Sequence, residues 1–259
     1  MCRLLGLVAN KKVDLIFSMT RFEQKAHSNP DGWGMGWYDE DKSARIYKEA
    51  LSALDKEAEF YQASCEAAST IIIAHVRTAT MGSASDVNSH PFNYKNWIFA
   101  HNGSINRRYI ITQLHEHYRI SLKGDTDSEA YFHWLIQNIE EGDSIVDSIA
   151  NAIAEIKKID YGGLNFILSD GKRLYAYRDA NHNLEYYSLY VLLRAPTHDS
   201  LLDMFSEETR VLLHSKTLHS ENAVLICSEK LTEEDWLSIP KGHLVEVRED
   251  LTLHQFQLA

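Results

Sequence analysis

Apolar residues fall into short runs toward both ends of the chain and recur at helical spacing in the middle. Residues 3–9 form an apolar run directly behind Cys2 and predict a strand that places Cys2 at its end. Residues 29–36, reading N-P-D-G-W-G-M-G, are dense in glycine and predict a turn or loop leading into a strand near Trp37. A helix with one apolar face is expected over 55–68, followed by a β-branched strand over 70–76. Residues 97–100 read as a strand that runs into His101-Asn102-Gly103, where the Asn-Gly pair signals a tight turn.

Helical periodicity then dominates over 105–117, 127–139 and 144–157, with Asp125 and Thr126 placed to cap the second of these. Strands return at 165–168, 174–178, 187–193, 223–227 and 243–247, interrupted by a helix-like piece over 199–205. There is no repeat, no low-complexity tract and no Pro/Gly/Ser linker between the halves. One layered α+β domain over residues 1–259 is the architecture this pattern predicts.

Composition narrows the classes of function. The 26 basic and 37 acidic residues give a formal charge of -11, which repels a phosphate backbone, so no nucleic-acid partner is expected. The longest apolar runs, such as 70–74 and 223–227, are of strand length, far short of the roughly 20 residues that span a bilayer, so no membrane association is expected. The N-terminus has no basic segment followed by an apolar stretch and a cleavage site, which points to the cytoplasm. Cys2, Cys65 and Cys227 are an odd set without short spacing, so free thiols are expected, and Cys65 and Cys227 read as inert core residues. No C-x-x-C or H-E-x-x-H pattern occurs, and no metal is expected.

Cys2 is the residue with chemical promise. An initiator Met is normally removed before a small second residue, which would leave a thiol and an α-amine on one residue. The amine, with a pKa of about 7.7 to 8.0, and the thiol, at about 8.5, exchange a proton with little driving force, so no separate histidine is required. Taken alone, Cys2 also reads as a small hydrophobe opening a strand.

The surrounding motifs favour the first reading. His75 to Phe92 reads H-V-R-T-A-T-M-G-S-A-S-D-V-N-S-H-P-F. It resembles the H-x-R-x-A-T-x-G and N-x-H-P segments of class II, N-terminal nucleophile glutamine amidotransferases. The resemblance extends to Met1-Cys2, to Asn102-Gly103, and to Gly124-Asp125-Thr126-Asp127-Ser128-Glu129. It covers the first half of the chain; beyond that, only Ser228-Glu229 and the turn Ile239-Pro240-Lys241-Gly242 are similar to stand-alone members.

The family resemblance implies a four-layer αββα sandwich of the N-terminal nucleophile hydrolase type, with Met1 removed. It implies Cys2 as nucleophile and Asn102 and Gly103 as the N–H donors that meet the tetrahedral oxyanion, a pair whose loss typically costs about 10² to 10³ in rate per donor. It also implies a substrate clamp: Arg77, supported by Thr80, on the α-carboxylate, and Asp125 on the α-ammonium. Outside this context Arg77 is an ordinary charge after a strand and Asp125 an N-cap. Attack on the glutamine side-chain amide would release ammonia and leave a γ-glutamyl thioester on Cys2, which water then hydrolyses without any cofactor.

The chain departs from synthase-linked members in carrying Met81 where several have His after A-T. Its length leaves no room for a synthase domain, and it has no phosphate-binding P-loop. The expected substrate is glutamine, with an ammonia-accepting synthase on another chain as the partner left open. Two further readings stand beside it: hydrolysis of another γ-glutamyl amide with a larger leaving amine, and a non-turning glutamine-binding module. Retention of Cys2 with Asn102 and Gly103 speaks against the last.

Overall fold

A computed structural model describes residues 2–13, 31–52, 55–78, 81–194 and 222–258. The predicted helix over 199–205 lies outside these residues. Two antiparallel sheets are stacked face to face. The first runs in the order β11-β9-β10-β1-β4-β2-β3 and comprises β1 (Arg3–Val13), β2 (Trp33–Tyr38), β3 (Ala44–Glu49), β4 (Ser69–Val76), β9 (Tyr190–Arg194), β10 (Ala223–Cys227) and β11 (Leu237–Ser238). The second runs β13-β12-β8-β7-β6-β5 and comprises β5 (Phe92–Tyr94), β6 (Trp97–Ile105), β7 (Tyr161–Ser169), β8 (Arg173–Arg178), β12 (His243–Arg248) and β13 (Leu253–Gln257).

Side-chain alternation sorts the core into three layers. Leu4, Val8, Ile71 and Ile73 from the first sheet meet Ile98, Ala100, Ile167 and Val245 from the second. On the outer face of the first sheet, Leu5, Leu7, Trp33 and Ile72 are covered by Phe60 and Ala63 of α1 (Glu57–Glu66). On the outer face of the second, Phe99, Leu164, Phe166 and Tyr177 pack against α4 (Asp127–Glu141) and α5 (Ile145–Ile156), with α2 (Arg107–Gln113) and α3 (Glu116–Ile120) beside them. The result is an αββα sandwich, as the resemblance implies.

Several local expectations change. The helix predicted over 105–117 is two short helices, because the chain stays in β6 through Ile105 and breaks again at Leu114 and His115. Asn102 and Gly103 are not a tight turn; they continue β6 opposite Asn165 and Leu164 of β7, and the register shifts only between Gly103 and Ile105. Pairing with a strand distant in sequence has overridden the local turn preference. The glycine-rich stretch is likewise strand from Trp33 onward, paired with both β3 and β4, and position 34 requires glycine because a Cβ there would lie 2.3 Å from the carbonyl oxygen of His90. Cys227 is a core thiol, pushed up to about 12 by burial, whereas Cys65 lies exposed on α1.

Candidate active site

Cys2 immediately precedes β1, whose alternating residues Leu4 and Val8 face the second sheet. The same alternation puts Cys2 on the inner face. From the opposite sheet, Ile98 and Ala100 of β6 face inward, and Asn102 is the next residue in that row. The Cys2 thiol and the Asn102 amide therefore enter the space between the sheets from two facing strands.

The Cys2 Sγ is half-buried and lies 3.3 Å from both the Thr78 amide nitrogen and the Thr78 carbonyl oxygen, so it can accept from the N–H and, as a thiol, donate to the carbonyl. Burial pushes the thiol up, opposed by the Thr78 N–H and the Arg77 charge and reinforced by Asp127. A thiol held in this way ionises only with help from a base.

Asn102 is 3% exposed, and among the described residues its Nδ2 has no acceptor. A buried amide donor left unused inside a packed strand costs about 1 to 3 kcal/mol and calls for a functional account. Gly103 is held close against β7: a Cβ there would sit 1.9 Å from the Gly163 carbonyl oxygen, so no other residue fits. The same carbonyl lies 3.2 Å from His101 Nε2, and His101 Nδ1 lies 2.9 Å from Ser128 Oγ. Because a carbonyl only accepts, Nε2 carries the proton and Nδ1 accepts from the serine hydroxyl. Burial lowers the His101 pKa, which keeps the ring neutral and this tautomer in place.

Arg77 follows β4 and is 3% exposed. Its guanidinium donates to the carbonyls of Met81 at 2.8 Å, Ser83 at 3.4 Å and Gly82 at 3.5 Å, which folds the 81–83 loop around it. The loop uses three of five N–H groups and leaves two for another acceptor. Thr80, the expected companion of Arg77, lies outside the described residues, as does Met1.

Asp125 and Asp127 differ in position. The Asp125 amide donates to Asn88 Oδ1 at 3.0 Å, and its carboxylate lies beside Gly82, where a Cβ would be 2.8 Å from Oδ1. Asp127 is 3% exposed, accepts from the Ile105 N–H and the Ser128 N–H at 2.9 Å each, and its charge reaches the Cys2 thiol. Thr126 caps α4 by accepting from the Glu129 N–H at 3.2 Å, so Asp125 is not the cap. Asp125, the expected ammonium anchor, stands two residues before Asp127, the first residue of α4.

Two buried histidines lie nearby. His75 and His90 stack with ring centroids 4.1 Å apart, and their ring nitrogens have no hydrogen-bond partner among the described residues. Burial pushes His75 down to about 3 and His90 well below the ordinary imidazole range, so both are neutral.

Comparison with known proteins places this arrangement. Residues 1–257 match the family described as Glutamine amidotransferases class-II. An uncharacterized protein of Methanocaldococcus jannaschii is 34% identical over 258 residues, spanning 95% of this chain and 68% of that protein. The gamma-glutamyl-hercynylcysteine sulfoxide hydrolase of Mycolicibacterium smegmatis is 27% identical over 225 residues, spanning 85% of this chain and 79% of its own length. Among solved structures, a glutamine aminotransferase class-II domain protein of Silicibacter pomeroyi superposes over 100% of both chains with a TM-score of 0.68 at 20% identity, a likeness of fold.

Proposed function

The chain belongs to the class II glutamine amidotransferases and has their N-terminal nucleophile hydrolase fold; from that premise we propose that it cleaves the side-chain amide of glutamine through a thioester on Cys2. The observation that carries the reading is the pairing of an inward-facing thiol with a buried, unused amide donor on the facing strand. In this reading the whole chain acts as one amidotransferase domain, and Met1 is removed so that the α-amine of Cys2 is free.

The chemistry then runs as follows. The α-amine takes the thiol proton, and Sγ attacks the amide carbon. The oxyanion that forms accepts from Asn102 Nδ2 and the Gly103 N–H, donors already fixed by the fold and therefore not in need of reorganisation. The amine returns its proton to the leaving nitrogen, ammonia departs, and the γ-glutamyl thioester remains on Cys2. Water, deprotonated by the same amine, attacks the thioester and releases glutamate. Two N–H groups of Arg77 hold the α-carboxylate, with Thr80 as the companion that the resemblance implies. For the α-ammonium, the resemblance suggests Asp125, but Asp127 is the stronger candidate, because its buried charge reaches the thiol.

Intact-protein mass and N-terminal peptide mapping, before and after treatment with a glutamine-like diazo-ketone, test this directly. The expected result is loss of Met1, one adduct on Cys2, protection by glutamine, and ammonia release from glutamine by the untreated protein. A retained Met1 or an unlabelled Cys2 removes the mechanism. A second reading, hydrolysis of a γ-glutamyl amide with a larger leaving amine, is favoured by the similarity to the mycobacterial hydrolase, and it predicts faster turnover of that amide than of glutamine. Ammonia released from glutamine would pass to a synthase on another chain.

A further inference from the structure

Tyr187 lies in the turn between β8 and β9, in the half of the chain that the sequence motifs do not reach. Its ring rests on Gly163, one residue from the partner of Gly103 in the ladder: a Cβ on Gly163 would lie 2.5 Å from Cε1 and 2.6 Å from Cδ1 of that ring. The glycine is the seat of the tyrosine.

The main chain around Tyr187 is fixed from three sides. Its carbonyl accepts from Asn165 Nδ2 at 3.0 Å and from Arg178 Nε at 2.9 Å. Asn165 stands directly opposite Asn102 in the β6–β7 ladder and is fully buried. On the other side, Ser188 Oγ donates to the Ser228 carbonyl at 2.6 Å, and Ser228 bonds Leu4 twice, accepting from its N–H at 2.9 Å and donating to its carbonyl at 3.0 Å. The turn is thus tied both to β7, the strand that pairs with that of the oxyanion donors, and to β1, two residues from the nucleophile.

We propose that the ring of Tyr187 is the wall along which the aliphatic part of a bound γ-glutamyl group lies, between Cys2 and Asp127. The inference rests on the glutamine-cleaving reading above. Two methylenes separate the reacting carbon of glutamine from the carbon that carries its ammonium. Those methylenes have no hydrogen bonds to make and require an apolar surface, which a half-buried ring held by backbone contacts supplies. Gly163 lies on the same face of β7 as Asn165 and Ile167, the face turned to the first sheet, so the ring seated on it borders the space that Cys2 and Asn102 enter. Burial raises the phenol pKa, and Tyr186, Cys2 and Asp127 raise it further, so the phenol stays neutral. The hydroxyl lies at the Gly162 and Ser104 end of the ring: a Cβ on Gly162 would be 3.4 Å from it and 2.4 Å from Ser104 Oγ. In this inference the ring, and not the hydroxyl, is the working part.

The test is steady-state hydrolysis of glutamine by wild type, Tyr187→Phe and Tyr187→Ala, with competent sites counted by diazo-ketone labelling of Cys2. Tyr187→Phe should match wild type. Tyr187→Ala should raise KM about tenfold, the worth of contact with two methylenes, with kcat per labelled site and its pH profile unchanged. Inhibition by glutamate should weaken by the same factor. General damage to the fold would instead lower the labelled fraction and leave KM alone. An unchanged KM in Tyr187→Ala overturns the inference, as does a Tyr187→Phe protein as impaired as the alanine variant. If wild type neither hydrolyses nor binds any γ-glutamyl compound, the functional reading has failed and this inference goes with it.

Discussion

Replacing Asn102 with Leu should move activity and stability in opposite directions. The side chain is 3% exposed and its Nδ2 has no acceptor among the described residues, so the resting protein carries a desolvated donor worth about 1 to 3 kcal/mol. Leu has nearly the same shape, which avoids a cavity, and it removes that donor. Unfolding should therefore require more denaturant, and Tm should rise by about 2 to 4 °C for each kcal/mol recovered. The same change deletes one of the two proposed oxyanion donors, so kcat for glutamine should fall by about 10² to 10³ with KM nearly unchanged. Urea unfolding and ammonia release, measured on one preparation, give both numbers. A loss of about 1 kcal/mol in stability would mean that the amide is already satisfied in the free protein. An unchanged kcat would mean that it never meets the oxyanion.

Four further outcomes follow from the site and its surroundings. Asp127→Asn should raise the KM for glutamine by about 10- to 100-fold, the worth of a charged hydrogen bond, and by more than Asp125→Asn does; a larger effect of Asp125→Asn would make Asp125 the anchor. Gly103→Ala should destabilise the protein by about 1 to 3 kcal/mol or more, because its Cβ would overlap the Gly163 carbonyl at 1.9 Å, and urea midpoints would show it. Thr126→Ala should cost about 1 kcal/mol through loss of the α4 cap, read from the same midpoints. Acid should destabilise the fold through His75 and His90: both pKa values are depressed by burial, so the unfolded chain binds protons first. Each contributes up to about 1.4 kcal/mol per pH unit, starting as pH falls below the unfolded value of about 6.5 and ending near the folded one, which for His75 is about 3. His90→Leu should flatten the dependence of the urea midpoint on pH.

What the sequence revealed, and what it hid, divide by the range of the forces involved. β1, β4 and β10 were readable because unbroken apolar and β-branched runs have few other fates, and the motif around His75, Arg77 and Asn102 carried the family with it. The Asn-Gly pair misled because its turn preference is local, whereas the pairing of Asn102 with Asn165 is made across 63 residues and dominates once the sheet forms. The glycine-rich stretch hid a strand for a related reason: glycine at position 34 answers to the approach of the His90 backbone, which no local pattern encodes. The resemblance pointed to Asp125 for the ammonium, whereas the burial of Asp127 and its bonds to Ile105 and Ser128 come from packing at the start of α4, which no motif encodes. Tyr187 carried no signal at all, since its position depends on Gly163, Asn165 and Ser228 together.

The location of β1 also sets the order of events in the life of the chain. β1 lies in the middle of its sheet, with Leu5 opposite Ala74 on one side and opposite Cys227 on the other. At about 5 to 20 residues per second, the second neighbour is synthesised some 10 to 45 s after the first residues appear. Until then β1 has only half of its sheet, and Ser228 is not there to tie Leu4 in place. Cys2 therefore spends that interval outside its finished surroundings, and the thiol that the proposed mechanism uses lacks the geometry for attack. In the proposed mechanism competence waits for β10 and Ser228, so a product that stops before them would carry Cys2 without its finished site.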